Sequence, residues 1–295
     1  MMSSLLKDYI SKQQANLNVA LTTYLEHATI PITLKKSMLY SIQAGGKRIR
    51  PILMMASCEA FGGQAEAVMP LAIALEMVHT YSLIHDDLPA MDDDEFRRGQ
   101  PTNHIKFGEA TAILAGDALL TLSFQVISEA EQLTADQKTY AIARLSQTAG
   151  ATGMVGGQSL DLLAEGQEIS LEQLEEIHHL KTGQLLIYAM EMGAFIAGAS
   201  SANIEVIKKC ARASGLVFQI QDDILDINGD QAKIGKDLGS DIERDKSTYP
   251  KLLGLNGAIE QKNHYVQLAK QALLTAKINQ TVLAQLIDYL SNRDN

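Results

Sequence analysis

Only six prolines and 21 glycines punctuate 295 residues, and between them Ala, Leu, Met, Gln and Glu dominate. These residue types lose little on entering an α-helix. Leu71, Leu75, Val78 and Ser82 stack on one helical face, and Leu171–Ile187 and Asn203–Ile227 read the same way. Alternating runs bounded by turn pairs, the mark of strands, are missing. Neither internal repeats nor low-complexity tracts occur. Turn signals at Gly62-Gly63, Pro89, Gly99-Gln100-Pro101, Gly156-Gly157, Gly229 and Pro250 do not resemble flexible linkers. The expected fold is all-α: a single domain, residues 1–295, of roughly ten helices, with central helices apolar almost all round.

Composition narrows the function classes. A hydrophobic share of 46% against 20% charged residues excludes a disordered chain. The net charge of −10 and pI near 5.2 argue against nucleic acid as a partner, whose reader carries a basic patch. Cys58 and Cys210 are too few for a disulfide framework or a zinc cluster, so a reducing cytoplasm is expected. Lys7 and Asp8 interrupt the N-terminus before a signal segment forms. The longest plainly apolar, uncharged run, Met192–Ile204, is too short to span a bilayer, so no transmembrane segment is expected. Its small residues suit a close helix–helix contact.

Two acidic clusters carry the chemistry. Asp86-Asp87-Leu-Pro-Ala-Met-Asp92-Asp93-Asp94-Glu95 follows the apolar run Tyr81–Ile84, and Asp222-Asp223-Ile-Leu-Asp226 follows Leu216–Ile220. A solvated acidic face would alternate with basic residues at helical spacing. Paired aspartates at the ends of apolar helices are costly unless a cation neutralises them. Asp222 and Asp226 lie one turn apart on one face. Asp86 and Asp92 are out of register by about 120° on an ideal helix. Pro89 disfavours helix at Leu88 and lets the chain bend, so that Asp92 can swing back. If two antiparallel helices face each other, the clusters meet across one cavity. Oxygen ligands without nearby Cys select Mg²⁺ or Mn²⁺, and Mg²⁺ completes its shell with water and substrate phosphates.

Basic residues stand where phosphates need them. Arg97-Arg98 follow the first cluster, Gly45–Pro51 forms a basic turn, Lys181 lies in an apolar helical stretch, and Lys236 and Lys246 follow the second cluster. Arg offers bidentate phosphate capture and Lys a point charge. His79 is either a phosphate donor or a core histidine. Gly45-Gly46-Lys47 lacks the earlier Gly and the following Ser/Thr of a P-loop. Asp226–Asp237 has Gln231 where an EF-hand needs Gly, and Asp237 where it needs Glu.

GGKRIRP at 45–51, LIHDDLPAMDDDEFRRGQPTNH at 83–104, GGQSLDL at 156–162, KTG at 181–183, FQIQDDILD at 218–226 and GKDLGSD…KSTYP at 235–250 resemble the trans-isoprenyl diphosphate synthases. The likeness runs almost the whole chain in order and is nearest to the bacterial farnesyl-forming branch; Pro89-Ala90 is the bacterial two-residue expansion of the first motif. The resemblance implies an isoprenoid-synthase helical bundle around a central cavity, assembled as a homodimer. It implies head-to-tail condensation of isopentenyl diphosphate with dimethylallyl or geranyl diphosphate, giving farnesyl diphosphate. Geranyl or geranylgeranyl diphosphate is the alternative product. By motif, Asp86, Asp92 and Asp222 would hold Mg²⁺, three ions per site, against the allylic diphosphate. Arg97, Lys181 and Lys236 would clamp that diphosphate. Lys47, Arg50, His79 and Arg98, on the Gly46 turn and beside it, would bind isopentenyl diphosphate. Thr182 and Gln219 would line the allylic site, with Lys246 close to the diphosphates.

Tyr81 lies five residues before Asp86, about 7.5 Å along a helix axis. In this family an aromatic there accompanies farnesyl products, so Tyr81 and its neighbour Ser82 would set chain length. A class I terpene cyclase would lack the GGKRIRP turn, and a non-catalytic partner protein would carry degraded aspartate motifs.

Overall fold

The computed structural model describes residues 4–228, 247–279 and 281–293. The helices in chain order are α1 (Ser4–His27), α2 (Ile32–Gln43), α3 (Ile49–Ala60), α4 (Met69–Asp86), α5 (Asn103–Phe107), α6 (Glu109–Glu129) and α7 (Ala135–Ala149). They continue as α8 (Met154–Ala164), α9 (Leu171–His178), α10 (Gln184–Ile196), α11 (Ser201–Asn228), α12 (Tyr249–Thr275) and α13 (Val282–Asn292). The expected all-α architecture is present. Among the described residues, strand is confined to a hairpin pairing Phe96–Arg97 with Gln100–Pro101. Arg98 and Gly99 turn it, both with positive φ, which pairs two-residue hairpins with their natural twist.

The chain divides into two compact units. One contains Ser3–Ile52 and Glu66–Ile142, the other Leu53–Ala65 and Ala143–Asn295. In the first, α4 packs along α6. Pro70 to Val78 are all buried, so α4 is apolar on every side, as its composition predicts. In the second, α11 packs on α10 and α12. Gly193 of α10 lets that helix close on α3: a Cβ there would stand 2.7 Å from the Ser57 Cβ. The Ser57 hydroxyl donates to the Met190 carbonyl at 2.7 Å, which completes the small-residue contact foreseen for this stretch.

Two segments, Ala65–Asp86 and Glu109–Glu129, are long and apolar enough to cross a membrane by length and composition. Counting only uncharged runs overlooks them, because each contains an occasional polar residue. In Ala65–Asp86, 67% of the most apolar window is already buried within the protein.

Candidate active site

The first unit presents a basic turn. Gly45 and Gly46 have φ of 90° and 128°, a region open to glycine at little strain. Gly46 is also a close approach: a Cβ would meet the Arg98 guanidinium at 2.6 Å. Arg98 donates to the Gly45 carbonyl, and the Gln14 amide donates to the Gly46 carbonyl at 2.6 Å. Lys47 is exposed on this turn. Arg50, in the first turn of α3, donates to His79 Nε2 at 3.3 Å.

Burial and then the charges of Arg50, Arg98, Arg48 and Arg97 hold the His79 imidazole well below the usual histidine range. His79 is therefore a neutral acceptor set among guanidinium groups, a place that favours an anion. The sign of the linkage is testable. The unfolded chain protonates His79 near pH 6.5 while the folded protein resists, so this contribution is full above that pH and lost below it. The urea midpoint is expected to fall between pH 7.5 and 5.5, and to fall less in His79→Gln; equal falls would contradict the assignment.

The first acidic cluster follows directly. α4 ends at Asp86, Leu88 to Asp93 form tight turns, and the Asp92 amide donates back to the Asp86 carbonyl at 2.8 Å. The bend expected at Pro89 thus returns Asp92 beside Asp86, and both side chains are half-buried. Asp87 is 3% exposed and accepts from Arg97 Nε at 2.6 Å; Asp94 pairs with Arg97 at 3.3 Å. Burial pushes the Asp87 carboxyl up, against the pull of Arg97. Asp87 thus orients Arg97. A cleft lined by Tyr40, Thr80, Leu83, Asp87, Arg97 and Arg98, among others, lies beside this pair.

Tyr81 is 6% exposed and meets the His85 ring edge-on with centroids 5.7 Å apart. Burial, then the charge of Asp86, pushes the Tyr81 hydroxyl up to about 12. Tyr81 therefore feels Asp86, which the ideal helical wheel did not require. The Ser82 hydroxyl turns back to the His79 carbonyl at 2.9 Å.

The second unit carries the other expected residues. A π-helical turn, His179–Gly183, joins α9 to α10 and contains Lys181 and Thr182. Such turns often mark functional sites. Gly157 of α8 presses on the Lys181 backbone so closely that a Cβ would overlap it. Lys181 Nζ pairs with Asp161 at 2.6 Å, and Thr182 is buried. On α11, Gln219 and Asp222 are half-buried. Asp222 pairs with Arg293 at 2.5 Å, and the Arg293 guanidinium lies 3.9 Å from the Phe218 ring centroid. Asp223 is 5% exposed and accepts the Tyr249 amide at 2.9 Å, capping the start of α12. Lys236 and Lys246 lie outside the described residues.

In each aspartate pair, then, the first member is half-open and the second is buried on a protein partner. Asp161, Arg293, Glu76 and the π-turn escaped the sequence reading. The GGQSLDL motif pointed to Asp161, but no local pattern signals Arg293. Among the described residues no three Asp, Glu, His or Cys side chains converge to hold a metal by themselves. An all-oxygen donor set of few carboxylates still fits Mg²⁺, which keeps waters and takes substrate phosphates.

A cationic turn and half-open aspartates in one unit, and a half-buried lysine on a π-turn in the other, are groups that diphosphate chemistry uses on an all-α scaffold. A profile described as Polyprenyl synthetase matches residues 31–290, and the chain belongs to that family. It is 44% identical over 296 residues to the farnesyl diphosphate synthase of Bacillus subtilis (strain 168), covering 100% of both chains. It is 44% identical over 296 residues to the geranylgeranyl diphosphate synthase of Cyanophora paradoxa, covering 96% of this chain and 99% of that one. The apo crystal structure of an FPP/GFPP synthase from Zymomonas mobilis superposes with a TM-score of 0.86 at 33% identity, covering 99% of this chain and 100% of that one. The protein is a trans-prenyltransferase.

Proposed function

We propose that this enzyme makes (2E,6E)-farnesyl diphosphate, condensing isopentenyl diphosphate with dimethylallyl and then geranyl diphosphate. The observation that supports the product length is Tyr81, a buried aromatic ring on α4 five residues before Asp86. A ring there limits how far a growing chain can extend. Relatives named for farnesyl and for geranylgeranyl products share the same identity, which keeps the twenty-carbon product as the second reading.

Asp86, Asp92 and Asp222 serve as ligands for Mg²⁺, or Mn²⁺ in its place. The bound ions would neutralise diphosphate so that it departs as a stable anion. Arg97, held by Asp87 and Asp94, and Lys181, held by Asp161, place cationic groups on the charge that builds on the leaving oxygen. Lys236 and Lys246 complete that set. Gly46, Lys47, Arg50, His79 and Arg98 bind the second diphosphate, with His79 contributing no charge of its own. The Thr182 hydroxyl and the Gln219 amide supply dipoles to the allylic cation, and apolar surroundings keep water from trapping it. The departing diphosphate takes the final proton.

A homodimer in a reducing cytoplasm is part of the same reading; Cys58 and Cys210, both buried and both thiols, support the compartment. The test is a chromatogram of products made by purified enzyme from radiolabelled isopentenyl diphosphate and dimethylallyl diphosphate with Mg²⁺. A dominant fifteen-carbon product is expected. A dominant ten- or twenty-carbon product would move the assignment to the neighbouring synthases, and absence of label incorporation would reject the reaction.

A further inference from the structure

The basic turn contains one arginine that faces away from its surface. Arg48 is 4% exposed and adopts φ of 55°, a conformation that strains a residue with a Cβ. Its three guanidinium nitrogens reach three different helices. Nη1 pairs with Glu76 Oε1 of α4 at 2.7 Å, Nε donates to Asn18 of α1 at 2.9 Å, and Nη2 donates to the Ile42 carbonyl of α2. Its own carbonyl accepts the Ile52 amide at 3.1 Å and so starts α3. Glu76 is equally buried and stands three residues before His79, almost one turn along the same helix. Lys47 precedes Arg48, and Arg50, which contacts His79, follows two residues later.

We infer that Arg48 and Glu76 are positioning residues for the second-substrate diphosphate: their buried pair clamps the turn so that Lys47, Arg50 and His79 present one preformed anion site. A buried ion pair of this kind adds little stability over an apolar pair of similar volume, so its value lies in fixing geometry. Arg suits the task because its planar fork can bind several acceptors at once, whereas Lys reaches fewer. The inference rests on the prenyl-transfer reading for the identity of the substrate, though not for the existence of the anion site.

Steady-state kinetics of Arg48→Lys test it. The KM for isopentenyl diphosphate is expected to rise at least tenfold, with kcat and the KM for the allylic substrate within threefold of wild type. The double variant R48M/E76M removes both charges together and leaves no lone buried charge. It leaves the Asn18 and Ile42 acceptors unpaired, so a modest fall in melting temperature is expected together with the same selective KM rise. Glu76→Gln keeps an acceptor but leaves the Arg48 charge unpaired in the interior, and is expected to lower the melting temperature and raise the same KM, whereas a wild-type KM there would count against the pair's role. An unchanged KM in both Arg48→Lys and the double variant overturns the inference, as does an equal rise for both substrates. Titration of inorganic pyrophosphate in EDTA, read by calorimetry, is expected to weaken tenfold in Arg48→Lys. That readout stands even if wild-type enzyme leaves isopentenyl diphosphate unconsumed, an outcome that rejects the functional reading alone.

Discussion

Asp86→Ala is expected to lower kcat by two to three orders of magnitude, about 3–4 kcal/mol of lost transition-state stabilisation, the scale of removing one central electrostatic group. Asp86 ends α4, where its carboxylate is half-buried, and Asp92 is folded back to within a backbone hydrogen bond of it. Removing Asp86 leaves that loop's backbone in place, because the bond uses the Asp86 carbonyl and not the side chain. The loss should therefore appear in turnover and in the Mg²⁺ concentration needed for half activity, with the melting temperature nearly unchanged. Chelation of wild-type enzyme by EDTA should abolish turnover, and added Mg²⁺ should restore it. Near-wild-type incorporation of labelled isopentenyl diphosphate by Asp86→Ala would remove the residue from the reaction.

Tyr81→Ala is expected to turn a predominantly fifteen-carbon product into a mixture dominated by twenty carbons or more. Tyr81 is almost wholly enclosed and backed by His85, whose Nε2 lies 3.0 Å from the Ile113 carbonyl of α6. Truncation leaves a void that a further isoprene unit can enter, while the aspartates and the basic turn remain intact. The ratio of products by chain length is the measurement, because it does not depend on how much enzyme survives purification. An unchanged ratio would mean that the ring is core packing only.

Much of this could be read from the chain beforehand. α4 is legible because eighteen residues of nearly continuous apolar character between turn signals admit one structure. The return of Asp92 is legible because Pro89 forces a bend just past the last helical residue. The division of labour within each aspartate pair is not legible, since Asp86 and Asp87 are adjacent and chemically identical. What separates them is which carboxylate meets Arg97. Arg293 on Asp222 joins positions far apart in sequence, with no periodic signal linking them. The same holds for Arg48 and Glu76: each reads as an ordinary charged residue, and only their meeting in the interior gives them a role.

The π-turn at His179–Gly183 was also hidden, since Leu171–Ile187 looks like one uninterrupted helix. Its consequence reaches past the residues it displays. The widened turn takes up one extra residue, so running the same residues as regular α-helix would rotate all of α10 by about 100° about its axis. Gly193 would swing off the Met54 and Cys58 backbone, and the buried residues Leu185–Met190 would leave their neighbours. The irregularity is thus held in place from outside: the packing of α10 is phased to it, and a regular helix through the same residues would forfeit that packing.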